Sequence, residues 1–107
     1  MKELFINKKE VISLLSKIPI SLTRICKEDL DKEILRAGII AELDAINLYE
    51  QMAAMTENAD IKRILLDIAK EEKTHVGEFQ ALLLIKDKEQ KEELEKGKKE
   101  VEELRDS

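Results

Sequence analysis

Ile68 to Phe79 reads IAKEEKTHVGEF and holds His75, the single histidine of the chain. Ile61, Leu65, Ile68, Glu72, His75, Phe79 and Leu82 fall in one row at helical spacing. A row of that period predicts a helix over roughly Ile61 to Lys86. Glu72 and His75 are i, i+3, so they project from one face. That face is otherwise apolar and is expected to look inward. Burying an unpaired carboxylate is costly. Such a group tolerates burial when it is paired, hydrogen-bonded or bound to a metal.

The same reading extends toward the N-terminus. A first long helix is predicted from about Glu28 to Met55. Leu30, Ile34, Ala37, Ala41, Leu48 and Met52 form one row, and Leu35, Ile39, Glu42, Ile46 and Tyr49 a neighbouring one. Thr56 to Asp60, TENAD, is rich in cap-forming residues and predicts a turn. Glu42 and Glu72 are 30 residues apart, and their midpoint is residue 57, in that turn. If the helices fold back as a hairpin, each glutamate lies roughly 22 Å from the turn. Two carboxylates and an imidazole then converge at one height.

The rest of the chain narrows the class. Its 107 residues fit one small domain; aromatics are 3%, with no Trp, and charged residues are 40%. That composition suits long amphipathic helices and argues against a β-sandwich or barrel. So thin a core makes oligomerisation the expectation. The net charge is −5, with basic and acidic residues interleaved, which excludes the basic footprint of a nucleic-acid binder. Unbroken apolar runs fall far short of a membrane span, and the charged start is no signal peptide. Cys26 is alone and reads as a small apolar residue in a reduced, cytoplasmic setting.

Three segments follow. Residues 1–20 read as an N-terminal arm or short helix, with Asn7 as N-cap, Glu10 three residues on and Pro19 ending the pattern. Residues 21–86 form the hairpin. Residues 87–107 hold 15 charged residues, with Leu94, Val101 and Leu104 as one narrow apolar seam. They read as a peripheral third helix interrupted near Gly97, or as a frayed tail. The fold class is all-α: two long antiparallel helices plus short terminal helices, dimerising into a four-helix bundle.

Ferritin-like di-iron bundles take a Glu from each of two helices and a Glu-x-x-His from each of the other two. This chain has one of each, and one histidine cannot serve two Glu-x-x-His units. Two hairpins related by a two-fold axis supply Glu42, Glu72 and His75 twice, giving six ligands for two metals. The stretch IIAELDAINLYEQMA, Ile39 to Ala53, together with IAKEEKTHVGEF resembles the encapsulated ferritins in the order and intervals of Glu42, Tyr49, Glu72 and His75. The likeness covers about residues 28–104. It implies a half-ferritin that forms metal-bridged dimers and ring-shaped decamers of five dimers. It further implies a ferroxidase, oxidising Fe(II) with O2 for iron storage and detoxification inside an encapsulin nanocompartment, with the encapsulin shell protein as partner. The usual C-terminal cargo peptide is not evident in VEELRDS, and residues 1–20 exceed the usual N-terminal lead.

Glu42, Glu72, His75 and Tyr49 are thus the candidate catalytic residues, the first three as metal ligands. The cofactor is a di-iron pair with ligands from two subunits; Zn, Mn or Ca are possible substitutes. Tyr49 lies two turns from Glu42, about 10 Å along the helix. It is expected to reach a partner subunit's carboxylate, or else simply to pack. Glu71 competes with Glu72 as ligand from an exposed phase. Asp44 is a candidate for a further acidic site by position alone. Met52 and Met55 read as packing residues, and Gly77 as a place for close helix approach or a tolerated helix glycine. Two other functions fit the pattern. One is a rubrerythrin-like di-metal peroxidase, against which stands the lack of a Cys-x-x-Cys. The other is a helical module whose metal only staples a dimer.

Overall fold

The computed structural model describes residue 27 and residues 29–107. The expected N-terminal arm, Cys26 and the start of the first helix at Glu28 lie outside them. The described residues form three helices and no strand: α1 Leu30–Met55, α2 Ala59–Lys86 and α3 Lys88–Asp106. None is long and apolar enough to cross a membrane.

Local chemistry sets the boundaries. Asp31 and Glu33 sit in the first turn of α1, where the helix dipole favours negative charge. The helix ends at Thr56, whose extended backbone turns its N–H back to the Met52 carbonyl, 3.2 Å away. Asn58 then caps α2: its side-chain oxygen accepts from the amides of Asp60 and Ile61, both at 3.0 Å. Three residues, Thr56 to Asn58, join the helices. A connection that short makes α1 and α2 antiparallel neighbours, and they pack along their lengths.

The seam between them has a coiled-coil period. Leu35, Ile39, Glu42, Ile46, Tyr49 and Ala53 run down α1 at alternating steps of four and three. Leu65, Ala69, Glu72, Val76, Phe79 and Leu83 do the same on α2. Ile46, Ala53, Ala69 and Leu83 are buried, and the others are half-buried. The α1 seam is the second of its two predicted rows. On α2 the seam is displaced from the predicted inner row. Ile61 is 52% and Leu82 54% exposed, whereas Ala69 and Leu83 are buried. Two adjacent rows of α2 carry apolar residues, and helical spacing alone cannot say which of them meets α1.

Two of the four buried apolar residues are alanines, so little of the roughly 1.5–3 kcal/mol per large apolar side chain is gained within one hairpin. Meanwhile Ile34, Ile61, Ile64, Leu82 and Ile85 are exposed.

Helix α3 starts after a single non-helical residue, Asp87, which ends α2 and begins α3. Its N–H reaches the Leu83 carbonyl at 2.8 Å, and its Oδ1 accepts from the Gln90 amide at 3.0 Å. Its Oδ2 accepts from the Arg36 guanidinium of α1. The Gln90 amide, then Lys32 and Arg36, hold the Asp87 carboxyl below its ordinary value of 3.8, against an opposing effect of burial. The helix runs through Gly97 without interruption. This corrects the expected break there: a mid-helix glycine costs about 1 kcal/mol relative to alanine, less than a 19-residue helix needs to be broken. Leu94, Val101 and Leu104 remain exposed along it.

The Asp87 junction predicts a pH dependence. A carboxyl whose pKa is depressed by folding stabilises the fold fully above its unfolded value. That contribution is lost as pH falls through the lower folded value. Asp87→Ala is therefore expected to speed exchange of the Gln90 amide at neutral pH. The difference from wild type should vanish once the pH lies below the folded value. Amide hydrogen exchange across an acid titration checks this. A difference that persists undiminished in acid would contradict it.

Candidate metal centre

Helix α1 presents Glu42 from the seam, and α2 presents Glu72 and His75 from successive turns. His75 Nδ1 lies 3.6 Å from Glu42 Oε1 and 3.5 Å from Glu72 Oε2. Both separations are too long for good hydrogen bonds. One donor atom from each of the three residues lies within 4.8 Å of the others. Ligand atoms about 2.1 Å from one ion stand at most about 4.2 Å apart, and both separations from His75 Nδ1 lie inside that limit.

The surroundings point the same way. The carboxylate side chains are about one-fifth exposed, while that of His75, on the flank of the seam, is 45% exposed. Glu42 Oε2 is buried without a hydrogen-bond partner. Leaving a buried acceptor unmet costs about 1–3 kcal/mol, and more when it is charged. Lys73, the residue after Glu72, is committed elsewhere, to Glu50 at 2.9 Å. Two hard carboxylates, an imidazole and an orphaned oxygen suit a divalent transition metal.

Other expected site residues stand apart. Tyr49 is half-buried on the seam and makes no hydrogen bond to the described residues. Glu71 is exposed on α2, outside the cluster, and Asp44 does not join it. Sequence reasoning passed over Gly38, which meets Phe79 of the predicted inner row beside the cluster, and Asp87. Asp87 could have been found, because Asp followed by Gln three residues on is a capping signal. The Gly38–Phe79 contact had no such signal.

The Rubrerythrin family model matches residues 33–106. Over 78 residues the chain is 64% identical to a ferritin-like-encapsulin shell fusion protein of Pyrococcus furiosus, covering 73% of this chain and 22% of that one. Over 56 residues it is 45% identical to the encapsulin nanocompartment cargo protein EncC of Myxococcus xanthus, covering 52% and 43%. The chain thus spans about a fifth and under half of the length of these two relatives. The crystal structure of an encapsulated ferritin domain from Pyrococcus furiosus superposes with a TM-score of 0.72 at 54% identity. It covers 82% of this chain and 95% of that domain.

Proposed function

The chain belongs to the rubrerythrin family and, within the ferritin-like proteins, to the encapsulated ferritins; from that premise we propose that it is a ferroxidase subunit. Fe(II) is the substrate. Glu42, Glu72 and His75 from each of two chains hold two irons between them, and the two hairpins make one four-helix bundle. The carrying observation is the convergence of the three donors, with the second oxygen of Glu42, Oε2, buried and without a hydrogen-bond partner. The apolar row beside it supports the dimer: Ile61, Ile68, His75 and Leu82 succeed one another at intervals of seven on α2, and Ile61 and Leu82 are exposed.

The residues' chemistry fits oxidation. Carboxylates are hard anionic ligands, so Glu42 and Glu72 favour Fe(III) over Fe(II), and each of two neighbouring irons gives one electron to O2. A single imidazole per iron leaves positions for O2 and water. Divalent affinity at such a site does not favour iron over zinc. Tyr49 serves as a hydrogen-bond donor toward the partner's carboxylate. The names of two relatives, one a shell fusion and one a shell cargo, support an encapsulin shell as partner and a nanocompartment as the place of work.

The family match also supports a second reading, a rubrerythrin-like peroxidase. The choice of oxidant separates the two. Ferroxidase predicts prompt Fe(II) oxidation on admitting O2, slowed at least several-fold by Zn(II) equimolar with the protein. Stopped-flow absorbance of Fe(III) formation measures both. Fe(II) oxidation by hydrogen peroxide but not by O2 would favour the peroxidase.

A further inference from the structure

Gly38, Gly77 and Gly97 are the three glycines, and all lie inside helices with none at positive φ. A helix-interior glycine is unfavourable relative to alanine, so each invites the question of what a side chain would meet. At Gly77 and Gly97 an added Cβ would meet nothing within 4 Å. At Gly38 it would lie 3.2 Å from Cε2 and Cζ of Phe79 and 3.3 Å from Cδ2. Gly38 matters for space, not for backbone conformation: its bare Cα lets the Phe79 ring lie against α1 without crowding.

The contact sits beside the metal centre. Gly38 is one helical turn before Glu42, and Phe79 is one turn after His75. Each helix therefore carries a metal donor and one partner of this contact on adjacent turns. We infer that Gly38, through its contact with the Phe79 ring, is a positioning residue that sets how closely Glu42 approaches Glu72 and His75. The inference rests on the reading of those three residues as a metal centre.

A methyl group at position 38 demands a few tenths of an ångström from the ring. Phe79 is itself half-buried in the seam, and room is made either by a shift of the ring or by α1 and α2 parting at this level; we take the second. The three donor atoms lie within 4.8 Å of one another, and one ion's ligands stand at most about 4.2 Å apart, so the set has little room to widen. A site of this kind has to be held to within about half an ångström, and a shift of a few tenths uses most of that margin. Parting the helices widens the set, while the alanine improves the helix.

The test is Co(II) titrated into metal-free wild type, Gly38→Ala and Gly38→Ala/Phe79→Leu, with melting of each metal-free protein. Co(II) visible absorption reports coordination geometry, and the titration gives the affinity. Gly38→Ala is expected to bind Co(II) roughly tenfold more weakly, the scale seen when supports of a metal ligand are disturbed. Its absorption should change, and its metal-free melting temperature should not fall. The double variant, with the ring removed, should recover most of the affinity. Wild-type affinity in Gly38→Ala would overturn the inference. So would affinity and melting temperature falling together without rescue by Phe79→Leu. Wild type that binds no Co(II) would instead overturn the metal-centre reading on which it rests.

Discussion

Glu72→Ala is expected to slow aerobic Fe(II) oxidation by at least about a hundredfold, because disturbing even an outer support of a metal ligand costs about 10–100-fold. The variant removes one of three donors and leaves Glu42 and His75, 3.6 Å apart, without the second carboxylate. Metal-dependent dimerisation should be lost with the activity. The metal-free hairpin should keep its stability. The carboxylate is about one-fifth exposed, its nearest polar contact is a long one to His75, and its charge repels that of Glu42 in the seam. Oxygen-consumption rates and metal-free melting curves of variant and wild type decide this. If both proteins are equally inactive and only the variant loses its dimer, the metal is a staple and the ferroxidase reading falls.

The second large effect is expected from Leu82→Lys, a change far from any donor atom. Leu82 lies seven residues after His75, on the same face, and is 54% exposed in the single chain. It borders an apolar groove with Ile34, Leu35 and Ile85. A lysine there is solvated in the monomer, so the helix content of the metal-free chain should be unchanged. In a two-fold interface the same lysine is trapped twice, and the carboxylate that lines its groove, Asp31, is already paired with Lys86 at 3.7 Å. Uncompensated buried charge costs about 3–5 kcal/mol, or more than a hundredfold in dissociation constant. Sedimentation equilibrium measures the shift, and Fe(II) oxidation should fall with the dimer although Glu42, Glu72 and His75 are intact. A Leu82→Lys protein that still dimerises and oxidises iron would remove this face from the interface.

Much of this arrangement could be read from the residues. The glutamate of the α1 seam and the Glu-x-x-His of α2 were visible because charge stood where the period demanded apolar side chains. The cap at Asn58 and the short turn brought them level. The phase of α2 was less legible. Ala69, Val76 and Leu83 form one apolar row, Ile61, Ile68 and Leu82 another, and only the second helix decides which becomes the seam. The exposed row then belongs to whatever covers the hairpin next. Gly97 misled because a local propensity of about 1 kcal/mol is outweighed by cooperativity along α3. That helix is started by the Asp87 cap and aided slightly by Lys98–Glu102 at 4.0 Å. Gly38 was illegible for the opposite reason: its role exists only in contact with Phe79, 41 residues away in sequence.

The claim at the centre of this account is that the iron site is shared between two chains. Native mass spectrometry of metal-free protein titrated anaerobically with Fe(II) tests it most directly. The account predicts assemblies of even subunit number, saturating at one iron per chain, with iron bound only in dimers and their multiples. A monomer that holds iron by itself, or a dimer that forms and holds none, would contradict it.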